Sequence, residues 1–250
     1  MDFLESNTEW KQWGKQDPLF GVASWANKEK GSVSAWTDEE FYALGESDWR
    51  DFYRIWQQYG VSRETCLEVG CGAGRITRQL VNSFDHVQAV DVSEDMIKYA
   101  RERIGAKNVQ FFVVDGIHLP QPDGSVRAIF STHVLQHLDN VNIGLLYFHE
   151  FFRVLDFGGT IMVHLPLYEW PHERGKLGTL FRSLFTLYYR ISDIRAHINR
   201  RRGVKIMRYL PYHMRSLYSA LAAQGFRSIE FRVFPTTSKG DLHPFVLATK

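Results

Sequence analysis

The stretch CLEVGCGAGRIT, residues 66–77, decides the fold of this chain. A short apolar run, Thr65–Val69, leads into three glycines at alternate positions, and a helix-forming segment follows them. Glycines at such a turn let the backbone bend tightly and approach a ligand closely. The helix behind the turn offers free N–H groups to a negatively charged group. The stretch therefore predicts a strand, a ligand-binding turn and a helix.

The spacing of the glycines distinguishes this turn from that of nicotinamide-dependent enzymes. A dinucleotide-binding turn follows the pattern G-x-G-x-x-G, whereas Gly70, Gly72 and Gly74 follow G-x-G-x-G. Ordinary strand–helix turns are also rich in glycine, so the turn alone does not identify a ligand. The residues around it have to supply the distinction.

Strands and helices alternate on the C-terminal side of this stretch. The predicted strands are Thr65–Val69, Val87–Val92, Val109–Val114, Val126–Thr132 and Thr160–Leu165, and the helices are Ile76–Phe84, Glu94–Ile104 and Val141–Leu155, the last closed by Gly158 and Gly159. Strands joined by helices form a parallel sheet. A helix over Tyr212–Ala223 precedes two further strands, Arg227–Phe234 and Pro244–Thr249, whose short polar connection predicts an antiparallel hairpin.

Two carboxylates follow strands of this predicted sheet. Asp91 ends the second strand, 17 residues beyond Gly74, where an acid can accept hydrogen bonds from both hydroxyls of a ribose. Asp115 ends the third strand, where a carboxylate can accept from an adenine amino group or, as Asp before Gly, form a turn. Both lie at the carboxyl edge of the sheet, where ligands of open α/β folds bind.

Four segments together resemble the class I methyltransferases that depend on S-adenosylmethionine (SAM). They are Leu67–Thr77 (LEVGCGAGRIT), Ala89–Ile97 (AVDVSEDMI), Val113–Gly116 (VVDG) and Ile129–Leu138 (IFSTHVLQHL). The resemblance is to the broad branch with many small-molecule and lipid methyltransferases, and it covers Cys66 to Leu165 most strongly. It implies a Rossmann-like α/β fold, with helices on both faces of a seven-stranded, mostly parallel sheet whose last strand is antiparallel.

The resemblance also implies a set of cofactor-binding residues. The glycine turn would lie beneath the methionine part of SAM, with Glu68 orienting it, while Asp91 would hold the ribose and the Asp115 turn would contact adenine. Ser131 and His133 would face the methyl group and the acceptor. The expected cofactor-binding residues are Glu68, Gly70, Cys71, Gly72, Gly74, Asp91, Val92, Met96, Asp115, Gly116, Ile117 and Ser131.

Histidines near the carboxyl edge are the candidate catalysts. Methyl transfer from a sulfonium is a direct displacement, so alignment of the reactants does much of the work. A hydroxyl acceptor must also lose its proton, and histidine is the usual base near neutral pH. His133 and His164 are the candidates for base or acceptor contact, a structural role is expected for His137, and His172 and His213 remain open.

The segment after the fourth strand bears on the atom that is methylated. Ser131-Thr132-His133-Val134 stands where methyltransferases of bases and protein amides carry Asp/Asn-Pro-Pro-Tyr/Phe. Its absence favours an oxygen, carboxylate or carbon acceptor over an amino group.

Residues 1–60 precede the methyltransferase domain, which we assign to residues 61–250. They hold six of the seven tryptophans and are predicted to be irregular until Thr37 and Glu40, which fit the capping box of a helix that runs to Tyr59 and stops at Gly60. The aromatic side chains either wall an acceptor pocket as a lid or only cover the edge of the sheet.

A basic helical insertion, residues 166–210, interrupts the domain after the fifth strand. Residues 174–215 carry eleven Lys or Arg and one acid, about +10, although the net charge of the chain is +2. Arg195, Arg200–Arg202, Lys205 and Arg208 could bind an anionic glycan or lipid-linked acceptor, rest with an apolar helix face on an anionic membrane, or grip nucleic acid. A solvated face or an oligomer contact is the alternative. We favour the anionic acceptor over nucleic acid, because no recognition module is apparent.

Composition excludes several other classes. The hydrophobic fraction is 44% and the charged fraction 23%, as in ordinary globular proteins. Two cysteines, Cys66 and Cys71, predict neither a disulfide framework nor a zinc site, so we expect no metal and a reducing cytoplasm. Neither a signal peptide nor a membrane span is expected. The leading hypothesis is methyl transfer to an oxygen atom of a small-molecule, glycan or lipid-linked acceptor; RNA methylation and non-catalytic SAM binding are the alternatives.

Overall fold

A computed structural model describes residues 4–169 and 207–250 of the chain. These residues form a seven-stranded sheet in the order β3-β2-β1-β4-β5-β9-β8, and a small two-stranded sheet, β6-β7. The strands are β1 (Thr65–Val69), β2 (His86–Asp91), β3 (Val109–Val113), β4 (Val126–Ser131), β5 (Leu155–His164), β6 (Leu167–Tyr168), β7 (Tyr212–His213), β8 (Arg227–Pro235) and β9 (Leu242–Thr249). The helices are α1 (Glu5–Gln16), α2 (Pro18–Val22), α3 (Asp38–Tyr59), α4 (Thr77–Ser83), α5 (Glu94–Arg103), α6 (Val141–Val154) and α7 (Met214–Gln224).

The sheet has the topology expected from the sequence. β1 to β5 pair in parallel, while β9 is antiparallel to both β5 and β8. The predicted α/β class, the seven strands and the antiparallel final strand are therefore confirmed. The strand order changes direction at β1 and β4, and ligands of open α/β sheets bind in the crevice at such a point.

Helices cover both faces of the sheet and explain why its central strands are continuously apolar. Leu67 and Val69 of β1 face α6 and α7, where Phe148 and Leu221 are fully buried. Cys66, on the other face, packs against α3 and α4. Because side chains alternate along a strand, a single short sequence supplies both layers of the core.

Helix α3 begins and ends where the sequence predicts. Thr37 and Glu40 form the reciprocal capping box, and Gly60 ends the helix at a φ of 101°. Its two tryptophans are buried against the sheet, where the Trp56 indole N–H donates to Thr160 Oγ1 at 3.0 Å. These aromatic side chains therefore cover the sheet and do not wall a pocket.

The structure corrects the expectation of an irregular N-terminal region. Residues 5–22 form α1 and α2, and the Asp17 side chain caps α2 by accepting the N–H of Phe20 at 3.2 Å. Propensity did not reveal α1, because it is held by tertiary contacts with α5. A further tertiary contact joins α1 to the loop before α6, where the Ser6 N–H donates to Asp139 Oδ1 at 3.2 Å.

Two predicted boundaries are also wrong. Helix α6 ends at Val154, before Gly158 and Gly159, and β5 begins at Leu155, where it pairs with Val126. The register shifts before Thr160, so the glycines lie within an irregular start of β5. Helix α7 begins at Met214 because the two preceding residues pair with Leu167–Tyr168.

Most of the predicted helical insertion, residues 170–206, lies outside the described residues. Arg208, at its C-terminal edge, is described, and its guanidinium pairs with Glu5 at 2.6 Å and Asp139 at 2.8 Å. The charge of this residue therefore joins α1 to the loop before α6. No helix in the described part of the chain is long and apolar enough to cross a bilayer.

Candidate active site

A cavity of about 310 Å³ lies at the carboxyl edge of β1, β2 and β4. Its floor comes from the turns after these strands, where Gly70, Asp91 and His133 lie. Trp10 of α1 and Trp25, just after α2, line it from the N-terminal side, while the loop between β8 and β9 completes the wall. The N-terminal residues thus supply part of the wall, in addition to the sheet cover that α3 provides.

The glycine turn forms part of the cavity floor. The backbone φ angles of Gly70, Gly72 and Gly74 are 76°, 52° and 83°, values that residues other than glycine rarely adopt. A Cβ on Gly70 would approach Val134 to 2.2 Å, and one on Gly72 would approach Val22 to 2.6 Å. Gly74 instead packs against α5 and does not line the cavity. The turn therefore has two reasons to be glycine, its backbone conformation and its close neighbours.

Asp91 joins the end of β2 to the glycine turn. Its carboxylate accepts the N–H of Gly72 at 2.9 Å and the N–H of Ser93 at 2.8 Å, and it lines the cavity. Burial raises its pKa, although both backbone hydrogen bonds oppose this effect. Each carboxylate oxygen has further acceptor capacity that can face a ligand. Val92 and Met96 line the cavity beside it.

Glu68 is a buried acid in the cavity wall. Its carboxylate accepts the hydroxyl of Thr77 at 2.5 Å. Burial raises the pKa of Glu68 to about 8, with a further contribution from Asp91, while Thr77 and Arg75 oppose the rise. Glu68 thus ties the end of β1 to the start of α4 across the glycine turn, and Cys71 lines the cavity next to it.

The remaining expected cofactor residues lie outside the cavity lining. The exposed Asp115 carboxylate accepts the N–H groups of Ile117 and His118 at 2.9 and 2.8 Å, and the His118 ring approaches it at 2.7 Å. Burial opposes ionisation of Asp115, but these contacts outweigh it and lower its pKa. Gly116 belongs to the same turn, with a φ of 93°. Ser131 is buried and donates its hydroxyl to the carbonyl of Val69 at 2.9 Å.

The two candidate catalytic histidines are neighbours. His133 lines the cavity, and His164, at the end of β5, lies against it with ring centroids 4.2 Å apart. Burial lowers the pKa of His164 to about 3. Burial also lowers the pKa of His133 well below its usual value, and the neighbouring His164 adds to this effect, since two charged rings would repel each other. Both rings are therefore neutral near pH 7.

His137 makes the kind of contact expected of a structural residue. Its Nδ1 lies 2.6 Å from the carbonyl oxygen of Arg208, and its ring packs edge-on against Trp10. Burial lowers the pKa of His137 to about 4. The ring thus fastens the loop after β4 to the chain that enters β7.

Sequence reasoning missed the residues that complete the far end of the cavity. His243 of β9 lies beside the two histidines, with its ring centroid 5.4 Å from each. Asp48 of α3 pairs with Arg75 and accepts the Ser238 hydroxyl. Lys239 packs over the ring of Trp25 at 4.4 Å. The available signal was alternation along β9, which puts His243 and Phe245 on the sheet face of His164.

Comparison with known sequences identifies residues 66–159 as similar to a methyltransferase domain family. These residues match the family model described as "Methyltransferase domain". The chain is 32% identical over 101 residues to malonyl-acyl-carrier-protein O-methyltransferase 2 of Ilyobacter polytropus, covering 40% of this chain and 39% of that protein. It is 35% identical over 100 residues to phosphoethanolamine N-methyltransferase 1 of Arabidopsis thaliana, covering 39% of this chain and 20% of that protein. The chain therefore spans less than half the length of these relatives.

Solved structures share the fold over most of the chain. Phosphoethanolamine N-methyltransferase 1 of Haemonchus contortus, in complex with phosphoethanolamine and S-adenosylhomocysteine, has a TM-score of 0.60 at 16% identity, over 98% of this chain and 48% of that one. A putative methyltransferase from a Haloferax volcanii complex with the Trm112 activator has a TM-score of 0.60 at 14% identity, over 96% of this chain and 97% of that one. Identity this low establishes the fold alone.

Residues 66–159 form a methyltransferase domain of the class I SAM-dependent superfamily. The seven-stranded sheet that contains them has the fold of SAM-dependent methyltransferases. The cofactor of the superfamily is SAM, as the complexes of its structural neighbours with S-adenosylhomocysteine illustrate.

Proposed function

We propose that this chain transfers the methyl group of SAM to an oxygen atom of a small-molecule, glycan or lipid-linked acceptor. The observation that carries the proposal is a single cavity lined by two chemically different groups of residues. The glycine turn and Asp91, joined by a hydrogen bond, form one group, which we call the cofactor end, and His133 and His243, with neighbouring rings, form the other, the acceptor end. A cofactor and an acceptor in one cavity are held next to each other, which is the main requirement of a direct displacement.

The residues at the first end fit SAM. Gly70 and Gly72 line the cavity with backbone, which the methionine part can approach closely, and the free acceptor capacity of Asp91 suits the ribose hydroxyls. Val92 and Met96 also line this part of the cavity and offer apolar contacts to the bound cofactor. The turn 115–117 borders this end through Asn7, which lines the cavity and donates to the Asp115 carbonyl at 2.6 Å, and we assign adenine contact to it. When bound, SAM supplies a methyl group on a positively charged sulfur.

The second end suits an oxygen acceptor. His133 presents a neutral imidazole at the cavity wall, and such a ring can hydrogen-bond a hydroxyl and take its proton. His164 lies behind it and orients the ring through direct contact. The absence of the Asp/Asn-Pro-Pro-Tyr/Phe sequence after β4 supports oxygen over an amino group. One relative is named for O-methylation and another for N-methylation, so ancestry alone does not decide the atom.

The rim of the second end favours an acceptor with a negative charge. Lys239 lines the cavity, is half exposed and lies 3.9 Å from Asp241, a contact long enough for an anionic ligand to compete for the ammonium group, while Arg75 is paired with Asp48. A half-exposed lysine can bind a phosphate or carboxylate as a point charge. Trp10 and Trp25 line the same cavity and reduce its contact with water. A small anionic metabolite or a lipid- or glycan-linked precursor fits this combination.

Transfer of labelled methyl from SAM to fractions of a cell extract tests the proposal. We expect label in the small-molecule or lipid fraction with the wild-type chain, and clearly less with Asp91→Ala at a SAM concentration near the wild-type Kd. Mass analysis of the labelled compound before and after mild base treatment then distinguishes an ester from an ether or amine. Label confined to the RNA or protein fraction, or none in any fraction with SAM binding intact, contradicts the proposal.

A further inference from the structure

Three histidines from distant parts of the sequence meet at the wall of the cavity. His133 follows β4, His164 ends β5 and His243 lies near the start of β9. These strands are neighbours in the sheet, so its topology brings the three side chains to one place. One ring nitrogen from each lies within 4.8 Å of the other two. Within the described residues, this is the group of His, Cys, Asp and Glu side chains with the geometry to hold a metal ion.

The histidine cluster, as we call these three residues, has unused hydrogen-bonding capacity. The Nδ1 atoms of His164 and His243 are buried and have no hydrogen-bond partner within residues 4–169 and 207–250. By contrast, the Nδ1 atoms of His118 and His137 each have a partner. A buried polar atom without a partner costs about 1–3 kcal/mol, so a ligand that binds these two neighbouring rings would remove that cost. Other buried atoms of the described residues also lack a partner, such as Gln121 Nε2 and Tyr53 Oη, but they do not lie in a group with the geometry to hold a metal ion.

The backbone of the cluster is also unusual. His133 has a φ of 57°, one of three positive φ values at residues other than glycine among those described. Such a conformation costs about 1–3 kcal/mol and tends to occur at functional sites. Here it directs the ring toward His164 and the cavity.

The rings are in the protonation state that binds metals. Burial lowers the pKa of His133, His164 and His243, so each offers a neutral nitrogen. Three charged imidazolium rings this close would repel one another, which further favours the neutral state. The unprotonated imidazole is a good ligand of zinc, copper, iron and nickel.

The geometry suits a tetrahedral ion with one open position. Nitrogen atoms bind Zn²⁺ at about 2.0–2.1 Å, which sets them about 3.3 Å apart around a tetrahedral ion. The cluster reaches this spacing if each ring nitrogen moves about 1 Å toward the common centre of the three. His133 and His243 are half-buried at the cavity wall, and His164 is buried behind them, so the open position faces the cavity.

We propose that His133, His164 and His243 bind one divalent transition-metal ion, with Zn²⁺ as the best fit, and that its open position faces the acceptor end of the cavity. This proposal departs from the expectation of no metal, which rested on the cysteines and left out His243. Three histidines and an open fourth position are the ligand set of catalytic zinc. Zinc lowers the pKa of a bound water to about 7.

A role in methyl transfer follows for this ion, and it rests on the proposed function. Held by the three imidazoles, the ion would lower the pKa of an acceptor hydroxyl in its open position, so that the hydroxyl would lose its proton to solvent. The acceptor oxygen would then bond to the methyl carbon as the carbon–sulfur bond breaks, with the electron pair of that bond left on the sulfur. The cluster would then act through the ion, with His133 as a ligand in place of a free base.

Metal binding by the chain without a histidine tag tests the site directly. After treatment with a chelator, the protein is titrated with Zn²⁺ by calorimetry and with Co²⁺ by visible absorption. We expect one ion per chain and the intense visible bands of tetrahedral Co²⁺. His243→Ala should weaken Zn²⁺ binding by more than about 100-fold, because even loss of an outer contact costs 10–100-fold. His243→Asp, which keeps a ligand atom, should restore much of the affinity.

Controls separate the site from folding and from the proposed function. His149→Ala, at an exposed position of α6, should bind Zn²⁺ as the wild type does, and all variants should keep the thermal midpoint of the metal-free chain within a few degrees. Lack of stoichiometric binding, or binding that His243→Ala leaves unchanged, overturns the metal site. Methyl transfer that survives complete metal removal overturns the role of the ion but leaves the proposed function. Zinc binding without any methyl transfer overturns the proposed function and leaves the site.

Discussion

The two ends of the cavity are built in opposite ways. The proposed cofactor end consists of the turn after β1 and the residues at and after the end of β2, so it comes from two short stretches, 68–72 and 91–96. The acceptor end combines side chains from α3, the residues after β4, and the β8–β9 hairpin, so that Asp48 of α3 and His243 of β9 meet although they are almost 200 residues apart. The first end depends on backbone shape, and the second depends on side chains that only the fold brings together.

This difference accounts for what each end can do within one superfamily. A backbone cradle requires glycine at fixed positions and accepts few alternatives, which suits a cofactor that does not change. Side chains on separate elements can be exchanged one at a time, which suits acceptors that differ between relatives. The predictions below test whether the two ends are separable, and they run from the largest expected effect to the smallest.

Substitution at the glycine turn should have the largest effect on the cofactor end. In Gly70→Ala the new Cβ lies 2.2 Å from Val134 at a φ of 76°, so the turn has to shift. We expect calorimetry to detect no SAM binding. Gly158→Ala is a matched control, because Gly158 has the same φ but no atom within 4 Å of its Cβ position. Equal loss of SAM affinity in both variants would contradict a role for the close approach.

Glu68 should make the stability of the cofactor-free protein depend on pH. Its pKa of about 8 exceeds the usual 4.5, so the folded chain holds a proton that the unfolded chain releases between these pH values. The free energy of unfolding should therefore fall by about 3–5 kcal/mol as the pH rises from 4.5 to 8, since one pKa unit corresponds to about 1.4 kcal/mol. Denaturant titrations of Glu68→Gln should lack this decline. If Glu68→Gln and the exposed-site control Glu39→Gln follow the same pH profile as the wild type, the buried acid is not the cause.

Asp91→Ala should weaken SAM binding by about 1–3 kcal/mol, the range for loss of hydrogen bonds to a charged group. Calorimetry measures this change, and the thermal midpoint reports the simultaneous loss of the contacts to Gly72 and Ser93. Glu94→Ala, three residues further along at an exposed position, should leave SAM affinity unchanged. Unchanged affinity in Asp91→Ala itself would exclude it from the ribose site.

Asp115→Ala should have the smallest effect and thereby mark the edge of the cofactor end. The carboxylate already accepts two backbone N–H groups and faces His118, so little of its capacity remains for adenine. We expect SAM affinity to fall about two- to fivefold. This loss corresponds to less than about 1 kcal/mol, as is usual for exposed charged contacts. His118→Ala, which keeps the carboxylate, should change affinity less than Asp115→Ala. A loss as large as that of Asp91→Ala would show that the turn moves into the cavity when SAM binds.

The cofactor end could be predicted from the sequence because its determinants are local. The glycines, Asp91 and the Ser93 cap follow from strand ends and helix starts that short patterns reveal, and the order of strands follows from their alternation with helices. Two features of the same stretches were not apparent, namely that Gly74 serves the packing of α5 and that the Ser131 hydroxyl binds the carbonyl of Val69. Sequence position predicted the neighbourhood of these residues but not the direction of each side chain.

The acceptor end could not be predicted in the same way. Asp48, Ser238 and His243 carry no local signal, because their proximity depends on how the final hairpin pairs with β5 and how α3 packs on the sheet. The helix α1 was missed for a related reason, since its helical state is fixed by contacts with α5 and the loop before α6. Non-local pairing thus limited the prediction of the site and of the N-terminal region alike.

A crystal structure of the chain with S-adenosylhomocysteine would test the central claim most directly. We expect the homocysteine part over Gly70 and Gly72, the ribose hydroxyls at Asp91, and the sulfur directed toward His133 with space for an acceptor between them. A ligand bound elsewhere, or one whose sulfur faces away from the histidines, would contradict a single cavity with a cofactor end and an acceptor end.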